Sequence, residues 1–149
     1  MSTEVEGIRL GIENGRAKYA FETVDEFVSN NRQQDKRLKE YRSYVKKLPA
    51  MIQVNGLGQT LAFCFAKGDQ YRELYNQIEG WVKEKQPELL TRYSEANEME
   101  FVQIVVSMNS NDYRIVSREV LALLDWMRRF ADGLIRDQKS PDKFIDTQG

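Results

Sequence analysis

The densest group of side chains able to do chemistry in this 149-residue chain is a run of cations between Arg32 and Lys47. That run holds seven basic and two acidic residues, a net charge of +5, whereas Asp69 to Glu100 carries a net charge of −4. Like charges on one helix face repel each other, so such a run favours an anionic partner. A nucleic-acid backbone is a polyanion whose phosphates lysines and arginines can follow without reading bases. A plain solvated helix face remains the alternative.

The sequence offers few of the residue types that catalysis uses. The chain has no histidine and one cysteine, which excludes Ser-His-Asp and Cys-His nucleophile systems and histidine-ligated zinc. Glu98 and Glu100 are two residues apart and would diverge on a helix, so they do not form a carboxylate pair for acid–base work. A small metal-dependent nuclease using them with Asp112 is the one enzymatic alternative. We expect no catalytic residue, no metal and no cofactor.

A glycine-containing stretch, Leu48–Phe63, is the least generic part of the chain. Gly56 and Gly58 give only half of a dinucleotide-binding fingerprint, and no strand precedes them. We expect them to form a sharp corner that lets one helix end and the next begin in close contact. Pro49 is expected to end or kink the helix before this corner. Cys64 lies between two phenylalanines, which predicts a buried and unreactive thiol.

Helical periodicity sets which way the cations point. Apolar residues recur at steps of three and four, which predicts a core-facing stripe of Leu38, Tyr41, Val45 and Leu48. The opposite side of that helix, here called the basic ridge, comprises Lys36, Lys39, Ser43, Lys46 and Lys47, with Arg37 and Arg42 at its edges. Tyr41 and Tyr44 could stack on bases, but Tyr41 lies in the apolar stripe and is expected in the core.

The same periodicity extends along nearly the whole chain. It predicts an all-α, single-domain bundle of about six helices over residues 13–136, with a flexible segment at 1–12 and a loose tail at 137–149. Trp81 and Trp126 fall on apolar stripes and are expected to anchor the core. The longest apolar run, Leu61–Ala66, is far shorter than a membrane span, and no secretory segment precedes it. We therefore expect a cytoplasmic protein that contacts no membrane.

Four stretches of the sequence resemble a known family. The longest is Tyr41–Phe63, YRSYVKKLPAMIQVNGLGQTLAF, and the others are Arg16–Ala20, Leu74-Tyr75 followed by Trp81, and Trp126–Ala131. Together they are similar to the small subunit of the type III-B CRISPR effector, the Cmr complex. The resemblance covers about residues 13–136.

This resemblance implies a non-catalytic, α-helical subunit whose partners are the other Cmr subunits, copies of itself, and the CRISPR RNA and target RNA. Copies would stack as a minor filament beside the larger subunits that hold the guide, while other subunits cut. The residues it assigns to phosphate contact, with the basic ridge, are Lys39, Arg42, Lys46 and Lys47, then Arg16 and Lys18. Lys39 rests on helix geometry, whereas Arg42, Lys46, Lys47 and Arg16 match the family pattern. A protein-interaction spacer without direct RNA contact is the alternative.

Overall fold

A computed structural model of the chain describes residues 2–94 and 98–136, with side chains from residue 15 onward. Within those residues it contains seven helices and no strand. The helices are α1 Ser2–Asn30, α2 Asp35–Asn55, α3 Leu57–Lys67, α4 Asp69–Lys85, α5 Pro87–Ser94, α6 Phe101–Val106 and α7 Ser110–Leu134. The predicted all-α bundle is confirmed. Seven helices agree with the expected number of about six, and Pro87, which suits a first helical position, opens the short helix α5.

Helix α7 is the centre of the bundle and packs against α1, α2 and α4. Its apolar stripe is fully buried and comprises Val116, Val120, Leu123, Leu124, Met127 and Ala131. Full burial of each large aliphatic side chain stabilises the fold by about 2 kcal/mol. Helix α2 runs antiparallel to α7, since Arg42 contacts Ile135 just beyond one end of α7 and Gly58, just after α2, contacts Tyr113 near the other. The core therefore fixes which residues of α2 face outward.

Pro49 was expected to end or kink helix α2, and the first of these outcomes is wrong because α2 continues from Asp35 to Asn55. Proline lacks the N–H that would bond the carbonyl of Val45, so the helix loses one internal hydrogen bond there. Leu48 and Ile52, on either side of Pro49, are buried against the rest of the bundle. Their burial keeps the segment helical despite the missing bond. As a result the basic ridge lies on an uninterrupted helix that leads directly into the glycine corner.

The expected corner between α2 and α3 is confirmed. Gly56 has a φ of +87°, a backbone conformation that residues other than glycine rarely adopt. The Gly58 N–H donates a hydrogen bond of 2.8 Å to the Tyr113 hydroxyl of α7. A Cβ atom at Gly58 would lie 3.0 Å from Cγ1 of Val106 on α6. Both glycines thus let the α2–α3 corner approach α6 and α7 closely.

The two tryptophans differ in burial: Trp81 is buried, as expected, whereas Trp126 is only half-buried. Helix by helix, none in the described part of the chain is long and apolar enough to cross a membrane. The division into residues 1–12, 13–136 and 137–149 stays a prediction. Side chains before residue 15 and all of residues 137–149 lie outside what the structure describes.

Candidate functional site

The basic ridge lies on the outer side of α2. The stripe that the sequence assigned to the core is buried in full: Leu38, Tyr41, Val45 and Leu48. The four lysines of the ridge, Lys36, Lys39, Lys46 and Lys47, are all exposed. Their surroundings nevertheless differ, because α2 has α7 on one flank and α4 on the other.

On the α7 flank, two cations are bonded to the end of the central helix. The Arg42 Nη1 donates a 2.7 Å hydrogen bond to the backbone carbonyl of Ile135, the residue that caps α7. The Lys46 Nζ lies 2.9 Å from Oδ1 of Asp132, in an ion pair about half exposed on both sides. The last carbonyls of a helix lack internal partners and carry its negative dipole end, so both cations are favourable there. They fasten α2 to α7.

Three lysines of the basic ridge, here called the crest, have weaker contacts with the bundle: Lys36, Lys39 and Lys47. Lys39 pairs with Asp35 one turn earlier, at 3.1 Å between Nζ and Oδ2, and both side chains are well exposed. Among the described residues, Lys36 and Lys47 have no carboxylate within 4.0 Å. An exposed ion pair between residues i and i+4 is worth only about 0.3–0.5 kcal/mol. The crest therefore offers three ammonium groups that a passing anion can engage at little cost.

Aromatic rings border the crest on the α4 flank. Tyr44 stacks on Tyr71 of α4, with ring centroids 3.8 Å apart and planes 10° from parallel. The Lys47 Nζ lies 5.9 Å from the Tyr44 ring centroid. A shallow groove of about 430 Å³ runs beside Tyr44 and is lined by Asp35, Lys36, Lys39, Glu40, Ser43 and Tyr44. The ridge is thus a mixed surface of cations and aromatic carbon.

Tyr41, the other tyrosine considered for stacking, belongs to the core as expected. Its ring is fully buried and stacks on Phe27 at a centroid distance of 4.0 Å. Its hydroxyl donates a 2.8 Å hydrogen bond to the side-chain carbonyl of Gln77 on α4. Burial raises the pKa of Tyr41 far above the usual range of a phenol. The residue therefore stays neutral and inside.

The second pair of predicted cations, on α1, is in different surroundings. Arg16 makes two parallel bonds to the Glu119 carboxylate of α7, at 3.2 and 3.1 Å, and these side chains are only 15% and 13% exposed. Glu119 also accepts a 2.8 Å hydrogen bond from the indole N–H of Trp81. Lys18 is exposed, with its Nζ 4.0 Å from a carboxylate oxygen of Glu22.

These α1 cations do not form one patch with the ridge. Arg16 meets α7 at Glu119, whereas Lys46 meets it at Asp132, thirteen residues further along. At the rise of an α-helix, that separation is about 20 Å. A single nucleic-acid strand would have to cross the bundle surface to touch both groups.

The acidic residues considered for metal chemistry do not converge. Asp112 is buried, where it accepts hydrogen bonds from Arg92 at 3.0 Å and from the Tyr93 hydroxyl at 2.6 Å. Glu98 and Glu100 are exposed. Within the described ranges, no group of three or more His, Cys, Asp or Glu side chains is placed to hold a metal ion. The role of Asp112 is to join α5 to the start of α7.

The single cysteine has the environment expected of a core residue. Cys64 is fully buried on the inner face of α3. Burial raises its pKa to about 12, so the thiol is protonated at neutral pH and a poor nucleophile.

Sequence reasoning missed one exposed aromatic residue beside the ridge. Phe63 of α3 is 40% exposed and meets Tyr71 edge to face, with centroids 4.9 Å apart. The available signal was its position, since Phe63 lies off the stripe of Leu57, Leu61 and Cys64 that α3 buries. A large aromatic side chain outside the buried stripe of a helix is a candidate contact residue.

Comparison with known proteins gives two results. Residues 12–134 match the family model described as CRISPR-associated protein (Cas_Cmr5). Over 99 residues the chain is 32% identical to the CRISPR system Cmr subunit Cmr5 of Thermus thermophilus. The aligned residues make up 66% of this chain and 77% of that relative. The family match includes the whole basic ridge, the glycine corner and the Arg16–Glu119 pair.

Proposed function

The chain belongs to the family of CRISPR-associated proteins (Cas_Cmr5), and from that premise we propose that it is the small subunit of a type III-B Cmr effector complex. Its role there is structural: it binds other subunits and contacts RNA, while cleavage occurs elsewhere in the complex. The family match across 123 of the 149 residues, from 12 to 134, supports the assignment. An effector subunit of this kind acts in the cytoplasm.

We further propose that the basic ridge contacts the phosphates of guide or target RNA. The observation that carries this proposal is the exposure of Lys36, Lys39 and Lys47, whose contacts are one weak ion pair within α2 and the approach of Lys47 to the Tyr44 ring. Three cations along one helix face suit a strand whose charges repeat, and they need no particular base. Lys46 joins them by exchanging Asp132 for a phosphate.

The other three predicted residues have lesser places in this proposal. Arg42 positions the ridge, because its bond to the Ile135 carbonyl holds α2 against α7. Arg16 is held in its bidentate pair with Glu119, and Lys18 is an exposed secondary contact.

The test is charge reversal on the crest, K39E with K47E, in the full chain and in the assembled complex. Binding of a labelled single-stranded RNA is measured by fluorescence anisotropy across a range of salt concentrations. We expect the wild-type log–log slope to be about −2, for about three phosphates, and the double variant to bind about tenfold more weakly with a shallower slope.

Lys83 supplies the matched control. Like Lys39 it is an exposed lysine paired with a carboxylate one turn earlier, with its Nζ 2.9 Å from Glu79, but it lies on α4. K83E removes the same charge and the same kind of ion pair. K83E is compared with K39E alone. If both weaken RNA binding equally, or if K39E with K47E has no effect, the phosphate assignment is wrong.

We also propose that copies of the chain stack on one another in the complex. Two exposed apolar residues on either side of the glycine corner support a protein contact there: Val54 at 80% exposure and Val106 at 60%. The basic ridge and the acidic segment 69–100 carry opposite net charges, so the ridge of one copy would attract the acidic segment of the next.

The spacer alternative is separated from RNA contact by native mass spectrometry with and without RNA. Oligomers that form without RNA and dissociate when Val54 is changed to Asp support stacking. If RNA retention by the complex is also unchanged in K39E with K47E, the protein is a spacer.

A further inference from the structure

An aromatic ladder connects Phe63 to the basic ridge across three helices. Phe63 of α3 packs edge to face on Tyr71 of α4, at 79° between ring planes, and Tyr71 in turn stacks on Tyr44 of α2. Lys47 closes the series above Tyr44. Each link is shorter than 6 Å, so the ladder and the ammonium group lie within the reach of a few nucleotides.

The ladder is held rigid by its middle ring. Tyr71 is buried, with 7% of its surface exposed, and its burial raises the pKa of the phenol, so it stays neutral. The two outer rings are more accessible: Tyr44 is half-buried and Phe63 is 40% exposed. An exposed ring fixed in advance loses little entropy when another flat group packs against it.

The charges around the ladder select the kind of flat group. Lys36 and Lys39 line the groove beside Tyr44 together with Asp35 and Glu40, and Lys47 lies over the Tyr44 ring. These five charged side chains carry a net charge of +1. A ligand that offers a planar ring together with an anionic link at short intervals fits both features. Single-stranded nucleic acid has that chemistry, because each nucleotide brings one base and one phosphate.

We propose that Phe63, linked to Tyr44 through Tyr71, forms a stacking platform for an unpaired base of single-stranded RNA whose phosphates lie on the basic ridge. This inference rests on the RNA contact proposed above and adds a contact to the bases. In a duplex each base is covered above and below by its neighbours, so the platform requires an unpaired base. Any of the four bases suffices, since each has a planar face.

The experiment compares two single-stranded RNAs about 12 nucleotides long, within the site sizes of stacking proteins. One is an oligouridylate and the other has the same backbone but abasic riboses at its central positions. Each is titrated with the full chain carrying Phe63→Ala, Phe63→Trp or no change. We expect Phe63→Ala to weaken oligouridylate binding at least about fivefold and abasic binding less than about twofold, and Phe63→Trp to retain both.

Phe21 is the matched control. It is 42% exposed and also packs edge to face on another ring, Phe130 at 5.2 Å, but on the α1–α7 surface. Phe21→Ala removes the same side chain and leaves binding of both strands unchanged if the platform is at Phe63. Circular dichroism and the urea midpoint of each variant confirm that the bundle is intact.

The outcomes separate this inference from the function on which it rests. If Phe63→Ala leaves both affinities unchanged while K39E with K47E lowers them, the platform is wrong and the phosphate contact stands. If Phe63→Ala only lowers incorporation of the chain into the assembled complex, Phe63 contacts protein and the platform is again wrong. If the wild-type chain binds neither strand, the RNA contact and the platform fall together.

Discussion

Arg16 and Lys47 both lie in stretches that resemble the Cmr small-subunit family, yet the fold uses their charges in opposite ways. Arg16 is largely enclosed and makes a bidentate pair with Glu119, which also binds Trp81. Lys47 is exposed, and in the described structure its one charge-related contact is with the ring of Tyr44. A basic residue in a recognised stretch can therefore serve the fold or serve a ligand.

The chemistry of the two side chains explains the division. Guanidinium is planar and matches a carboxylate with two parallel hydrogen bonds, which suits an enclosed contact between helices. Ammonium is compact and strongly hydrated, and its long stem keeps it in water at little cost. Arg42 follows the same rule as Arg16, because it bonds the carbonyl of Ile135 beyond the end of α7, whereas Lys36 and Lys39 remain on the crest.

The largest effect is expected where an enclosed cation loses a bidentate carboxylate partner. Glu119→Ala removes the carboxylate that accepts two hydrogen bonds from the Arg16 guanidinium and one from the Trp81 N–H, in a site that water reaches poorly. We expect the free energy of unfolding to fall by about 3 kcal/mol, measured by urea denaturation. Glu22→Ala, which removes the partner of exposed Lys18, is expected to change it by less than about 0.5 kcal/mol. Equal losses would remove the distinction between enclosed and exposed cations.

A smaller loss of stability is expected at the junction of α2 and α7. Arg42→Ala deletes the charge-assisted bond to the Ile135 carbonyl, which is worth about 2 kcal/mol. Hydrogen exchange should quicken most in the last turn of α7, since that is where the guanidinium caps the helix. Lys46→Ala, which breaks the exposed pair with Asp132, is expected to cost under about 1 kcal/mol. A loss from Lys46→Ala as large as that from Arg42→Ala would contradict this assignment.

Local patterns sufficed to predict the bundle and the outward direction of the ridge. The spacing of Leu38, Tyr41, Val45 and Leu48 fixes one face of α2, and the opposite face follows from helix geometry. The helix end that Pro49 suggested does not occur, because the cost of proline to the helix is offset by the burial of neighbouring side chains. That compensation depends on tertiary packing and leaves no local signal.

The partners of the cations could not be predicted in the same way. The acceptor for Arg42 is 93 residues away in sequence, and the acceptor for Arg16 is 103 residues away. Only the folded bundle brings these groups together, so one sequence could not separate a bonded cation from a crest cation. The side chain type held part of the answer, since both enclosed cations are arginines and the exposed crest is formed by lysines.

The smallest effect is expected at Lys46, which is both bonded to the bundle and exposed on the basic ridge. Its pair with Asp132 is half exposed, so Asp132→Asn should change stability by less than about 0.5 kcal/mol while releasing one more ammonium group to the ridge. We expect single-stranded RNA to bind about two- to threefold more tightly at low salt, and this gain to vanish at high salt. Asp125→Asn removes the same charge from α7, but Asp125 pairs with Arg128 and Arg129 instead. An equal gain in affinity in both variants would mean that RNA binding depends on net charge alone. A gain confined to Asp132→Asn would show that Lys46 pairs with Asp132 in the free protein and can bind a phosphate of RNA instead.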